Sequence, residues 1–181
     1  MTDTQSGAGL GNWLRILAVG RNPKRTLVRA AVLAVICVVV FKFVLLPIRV
    51  EGLSMAPTYS DHSVNFVNRL AYLWHEPRRG DVVCIRLTPP PAKGWSAPHI
   101  MYLKRIIGLP GEAISFVHGR VNVNGQTLDE PYEKGPCDWN TAPVKLGPHE
   151  YFFVGDNRSM PKEDHSFGKA ERSRIVGKAL L

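Results

Sequence analysis

Residues 30–41 read AAVLAVICVVVF, a stretch without one polar side chain, and the chain around it has few ways to fold. Lys42 interrupts and Phe43-Val44-Leu45-Leu46 continues to Pro47, so residues 30–48 form 19 nearly apolar positions. As a helix they would extend about 28 Å, close to the ~30 Å hydrocarbon core of a bilayer. A lysine near one end of such a span can snorkel to the headgroups. Apolar residues cover every face, which suits lipid better than a buried core helix. A cleaved export signal is the other reading, but the run leaves through Leu46-Pro47-Ile48-Arg49 without a small-x-small cleavage site. The expectation is a retained membrane anchor over residues 27–48, with 1–26 as a basic N-terminal segment and 49–181 as the body.

The charge follows the same division. The chain carries a formal +8. Up to Ile48 there are Arg15, Arg21, Lys24, Arg25, Arg29 and Lys42 against Asp3, a net of +5. The remaining 17 basic and 14 acidic residues give only +3. The excess sits before the span, which predicts a single pass with the N-terminus cytoplasmic and the body on the far side. The body lacks the basic-aromatic pattern of a single-strand nucleic-acid binder, so no nucleic acid is expected. Leu10, Trp13, Leu14, Ile16 and Leu17 have helical spacing and fit either a membrane-surface helix or a frayed tail.

After Pro47 the periodicity shortens. Alternating or β-branched stretches occupy 63–69, 81–87, 100–107, 113–117, 120–123, 151–154 and 175–180, separated by turn signals. Asn124-Gly125 marks a hairpin because both residues tolerate positive φ. Residues 88–98 (TPPPAKGWSAP) cannot join a sheet. The predicted fold class is mainly β, an antiparallel β domain behind one N-terminal transmembrane helix. Three cysteines do not make a disulfide scaffold. Cys37 lies in the span, and Cys84, between Val83 and Ile85, reads as core rather than as a partner for Cys137. No H-E-x-x-H or paired-cysteine motif points to a metal.

Three segments carry candidate chemistry. Ser54 lies between a glycine-bearing turn and a proline in Glu51-Gly52-Leu53-Ser54-Met55-Ala56-Pro57-Thr58. Lys104 stands inside an apolar strand beside Arg105, and consecutive strand residues face opposite sides. A lysine in an apolar setting loses stability of its charged form, and a neutral amine can take a proton from a serine hydroxyl. Gly155-Asp156-Asn157-Arg158-Ser159 follows the 151–154 strand as a polar turn in which Arg158 can meet an acid. A histidine-based site drawing on His62, His99 or His165 is the rival, though no spacing favours it.

In this order and behind an anchor, EGLSMAPT (51–58), RGDVV (79–83), KRIIGLPGE (104–112), GDNR (155–158) and Phe167-Gly168 resemble the type I signal peptidases. Weaker matches are Val121–Gly125 and Glu130-Pro131-Tyr132. The resemblance runs from about residue 30 almost to the C-terminus. It implies a membrane-bound endopeptidase that removes signal peptides from exported proteins, set in the bacterial inner membrane with its catalytic domain extracytoplasmic. Ser54 would be the nucleophile, Lys104 the general base, and the Ser54 backbone N–H part of the oxyanion hole. Gly52, Met55, Pro57, Arg105, Gly155, Asp156, Asn157, Arg158 and Ser159 would surround them. Preproteins with small residues at −1 and −3 would be the substrates, lipid a further partner through Phe66, Leu73 and Trp74, and no cofactor is called for. Some relatives place a serine hydroxyl where Gly52 stands here.

The chain departs from the family after GDNR. Aligned to Phe167-Gly168 without gaps, the usual serine becomes Pro161, and the usual Asp–Arg pair becomes Glu163 and His165. A Glu163–His165 ion pair is the expected replacement for the second, while the acceptor that orients Lys104 stays open, with Ser159 as one candidate. Two other functions stay open: a relative specialised for a restricted substrate such as a conjugative pilin, and an inactive membrane-anchored β protein.

Overall fold

The structure, a computed structural model, describes residues 22–86, 101–133 and 135–180. The stretch around Leu10–Leu17, the whole Pro-rich loop 88–98 and His99 lie outside them. The chain divides into two units, Met1–Phe43 and Val44–Leu181.

In the first unit, helix α1 spans Pro23–Val39. Proline suits its first turn, where a backbone N–H would have no partner. None of its residues is buried. With the π-helical turn Val40–Val44 the helical stretch is 22 residues, about 33 Å, long and apolar enough to cross a membrane. The expected span ran four residues further. The backbone instead becomes strand at Leu45, where Pro47, which has no N–H and clashes within a helix, takes an edge-strand position.

The described residues of the second unit are mainly β, with antiparallel pairings and two short 3-10 turns. A seven-stranded sheet has the order β1 (Leu45–Arg49), β2 (Val64–Asn68), β11 (Ile175–Ala179), β3 (Val82–Arg86), β4 (Met101–Gly108), β9 (Glu150–Val154), β10 (Gly168–Glu171). A four-stranded sheet has the order β7 (Gln126–Thr127), β6 (Arg120–Val123), β5 (Ala113–Val117), β8 (Val144–Lys145). The turn between β6 and β7 is the expected Asn124-Gly125 pair, with φ of 52° and 83°.

Side-chain alternation decides what the large sheet presents on each face. Val83, Ile85, Ile106, Tyr151 and Phe153 pack on one face with Tyr72. Val82 and Leu103 pack on the other with Val50, Met55, Tyr59 and Ala179. In register, Val83 lies opposite Lys104 and Val82 opposite Arg105. The lysine therefore leaves β4 toward the first face and the arginine toward the second. Both are buried, whereas a Lys-Arg pair on an ordinary strand has at most one side to bury.

Candidate active site

Ser54 lies in the tight turn that links β1 to β2. Gly52 has φ +92°, the left-handed region in which a side chain is strained, and its N–H donates to Asp61 Oδ1 at 2.8 Å. Ala56 N–H to Leu53 O (3.0 Å) and Tyr59 N–H to Met55 O (3.0 Å) close the turn. Met55 is its anchor, buried among Val50, Tyr59 and Leu103, while Pro57 stays exposed after a cis Ala56–Pro57 bond. The seryl group is left half-buried, pointing at β4.

Lys104 reaches it from β4. Its side chain is 3% exposed, and Nζ is 2.6 Å from Ser54 Oγ. Burial lowers the lysine from its ordinary 10.5 to about 8, against the pull of Asp156, which raises it. An amine tuned this way carries an accessible neutral fraction near neutral pH. At this distance it can accept the hydroxyl proton and make the oxygen a nucleophile.

The loop after β9 clamps the serine from the other side. A Cβ on Gly155 would collide with the Ser54 carbonyl oxygen and come within 2.7 Å of His165 Nε2, so only glycine fits. Asn157 donates its backbone N–H to that same carbonyl (3.1 Å) and its side-chain Nδ2 to Leu53 O (3.0 Å). Asp156 is fully buried and takes a bidentate pair from Arg105, Nε to Oδ1 at 2.7 Å and Nη2 to Oδ2 at 2.6 Å. The Thr58 hydroxyl adds a third bond to Asp156 Oδ2 at 2.6 Å. The remaining Arg105 arm donates to Gly80 O, and its guanidinium lies 4.1 Å from the Tyr132 ring centre. The turn, β4 and the loop are thus joined by one fully paired buried charge. Arg158, also buried, meets the acid expected for it in Glu130 at 2.6 Å and caps Gly155 O at 2.8 Å.

Two expectations fail. Ser159 donates to Asn157 Oδ1 at 2.6 Å and makes no contact with Lys104. Glu163 and His165 do not pair. Glu163 is exposed on a short 3-10 turn, Lys162–Asp164, while the His165 ring is packed against Trp139 at 4.9 Å. Burial first, then the Lys104 and Arg158 charges, push His165 down to about 4, so it is neutral and offers no charge to a carboxylate. Of the rival histidines, His62 is exposed at a left-handed turn position beside Asp61, and His165 meets the backbone of Ser54 while Lys104 holds its hydroxyl. Residue type alone does not single out Thr58 and Glu130, although each belongs to a segment that carries the resemblance. Their partners lie 98 and 28 residues away, and no local signal links them.

Ser54 also lines a groove of about 440 Å³ between β1 and β4, with Ile48, Val50, Met55, Cys84 and Leu103 in its walls. β1 is the edge of the large sheet.

A family model described as "Signal peptidase, peptidase S26" matches residues 24–181. The chain is 34% identical over 128 residues to a signal peptidase I from Leptolyngbya laminosa, covering 71% of this chain and 63% of that protein. It is 32% identical over 158 residues to a probable signal peptidase I-2 from Synechocystis, covering 87% of this chain and 70% of the relative. Against signal peptidase IB from Staphylococcus aureus it is 30% identical, with 84% of each chain covered. The match takes in α1, both sheets and the Ser54–Lys104 pair: the chain belongs to the signal peptidase family, peptidase S26.

Proposed function

We propose that this protein is a membrane-anchored serine endopeptidase that removes signal peptides from exported preproteins, with Ser54 and Lys104 as its catalytic pair. The observation that carries the reading is the buried Lys104 amine 2.6 Å from the Ser54 hydroxyl. Lys104 takes the hydroxyl proton as Oγ attacks the carbonyl carbon before the cleaved bond. The Ser54 backbone N–H helps hold the developing oxyanion. Lys104 then gives the proton to the leaving amine, which departs and leaves an acyl-serine. Water, losing its proton to Lys104, releases the acyl group and regenerates the hydroxyl. The two side chains suffice for this sequence without a cofactor.

Substrate selection follows from the groove. Its edge strand offers main-chain pairing to an extended peptide, and its apolar walls suit small residues at −1 and −3. Lys24, Arg25 and Arg29 on α1 favour a cytoplasmic N-terminus, with the unit from Val44 onward outside the bacterial inner membrane. Leu73 and the 84%-exposed Trp74 supply apolar surface for lipid.

The test is cleavage of a preprotein by the purified full chain in detergent, wild type beside Ser54→Ala. The variant should lose cleavage by at least about 10⁴-fold. Cleavage retained in Ser54→Ala overturns the assignment.

A further inference from the structure

A second groove, of about 370 Å³, opens on the Lys104 side of the pair, on the sheet face that carries Ile85 and Phe153. Ser54 lines the first groove and Lys104 the second, while Tyr102 belongs to both and forms the wall between them. Ile85, Phe153, Phe167 and Ala170 make the second groove apolar, with exposed Ser166 at its rim. Phe167 is held in place by stacking on Trp139, with ring centres 5.1 Å apart and planes at 22°. The nearby Lys169 ammonium is neutralised by Glu150 at 2.8 Å, so the rim carries little unpaired charge.

We propose that this groove receives the part of the substrate that follows the cleaved bond and takes an apolar side chain from one of its first two residues. The inference rests on the Ser54–Lys104 reading above. In that chemistry the acyl half stays bonded to Ser54, and the leaving amine must come to Lys104 to collect its proton. A peptide crossing the pair therefore runs from the Ser54 groove, past Tyr102, into the Lys104 groove. The two halves of the substrate lie in different pockets, and the second has the walls for an aliphatic or aromatic side chain.

Acyl transfer tests this without using the leaving half of any preprotein. The full chain in detergent is given an ester of a peptide ending in alanine. Ser54 takes the acyl group and releases the alcohol. The acyl-serine is then divided between water, which gives the acid, and an added dipeptide amide, whose amine forms a new peptide bond while the serine regains its proton. The ratio of capture to hydrolysis reports the Lys104 side alone and does not depend on how much enzyme is folded. Leu-Ala amide should capture saturably and about tenfold more effectively than Gly-Gly amide. Ser166→Trp and Ala170→Leu should each lower the Leu-Ala ratio about tenfold, since both fill the groove. Equal capture of the two acceptors, or a ratio unchanged in both variants, overturns the groove assignment while leaving the catalytic pair standing. Absence of ester turnover in the wild type overturns the pair, and this assignment with it.

Discussion

Replacing Lys104 with methionine should abolish cleavage and make the protein more stable at pH 7. Burial lowers the lysine from 10.5 to about 8, and that difference corresponds to at most about 3 kcal/mol spent on holding a charged amine in the fold. Methionine keeps the volume without the charge. It forfeits the 2.6 Å bond to Ser54, worth about 1 kcal/mol, and the half-buried hydroxyl can turn to solvent. The net expectation is about 2 kcal/mol of added stability. The pH dependence is specific. Below pH 8 the amine is protonated in both folded and unfolded chains, and the wild type carries the full penalty. Between 8 and 10.5 the folded chain releases the proton while the unfolded chain keeps it, so wild-type stability climbs with pH and the variant's advantage disappears. Urea unfolding followed by tryptophan fluorescence, with full chains in one detergent at pH 7 and pH 10.5, measures both. The midpoint should rise at pH 7 with an unchanged m value. A variant less stable than wild type at pH 7, or an advantage that persists undiminished at pH 10.5, refutes the reasoning. Wild-type kcat/KM should rise with pH to a plateau above about 8, since the base acts when neutral.

Gly155→Ala forces a methyl group into the Ser54 carbonyl, and kcat/KM on a preprotein should fall about 100-fold; activity within twofold of wild type would count against the clamp. Asp156→Asn leaves the buried Arg105 guanidinium without its counter-charge, and urea unfolding should show a loss of about 3–5 kcal/mol, with a loss under about 1 kcal/mol contradicting the pairing. The ring signals of His165 should show no titration from pH 7 down to 5 and a midpoint near 4 by NMR, whereas a midpoint above 6 contradicts its burial. Because its folded value lies below 6.5, this histidine lowers stability progressively as pH falls from 6.5 toward 4.

What could be read in advance was local. Strands 113–117 and 120–123 match their expected bounds because alternation and flanking turn residues report a pleated surface directly. β1 was hidden because Leu45, Leu46 and Ile48 extend the apolar run of the helix, and hydropathy alone does not say where lipid ends and sheet begins. β10 was missed because Gly168-Lys169-Ala170-Glu171 lacks β-branched residues and becomes a strand only through pairing with β9. At the site, residue types betrayed the serine and the lysine. The partners of Asp156 and Arg158 depend on which strands become neighbours, which no spacing encodes. The Glu163–His165 expectation failed for a related reason. It carried an ion pair onto a position that is packed against Trp139, a ring from another part of the chain.

The sheet order has a consequence for when a cell acquires this activity. Ile175–Ala179 follows every other strand in the sequence yet lies between β2 and β3, near the middle of the sheet. The turn holding Ser54 also receives its clamp from Asn157, more than 100 residues downstream. A ribosome that has made the serine and the lysine has therefore not yet made a protease. Until the last strand is in place, the serine and the lysine sit on an incomplete sheet. A frameshift or stop codon anywhere before residue 175 would yield an inert polypeptide rather than an unregulated enzyme.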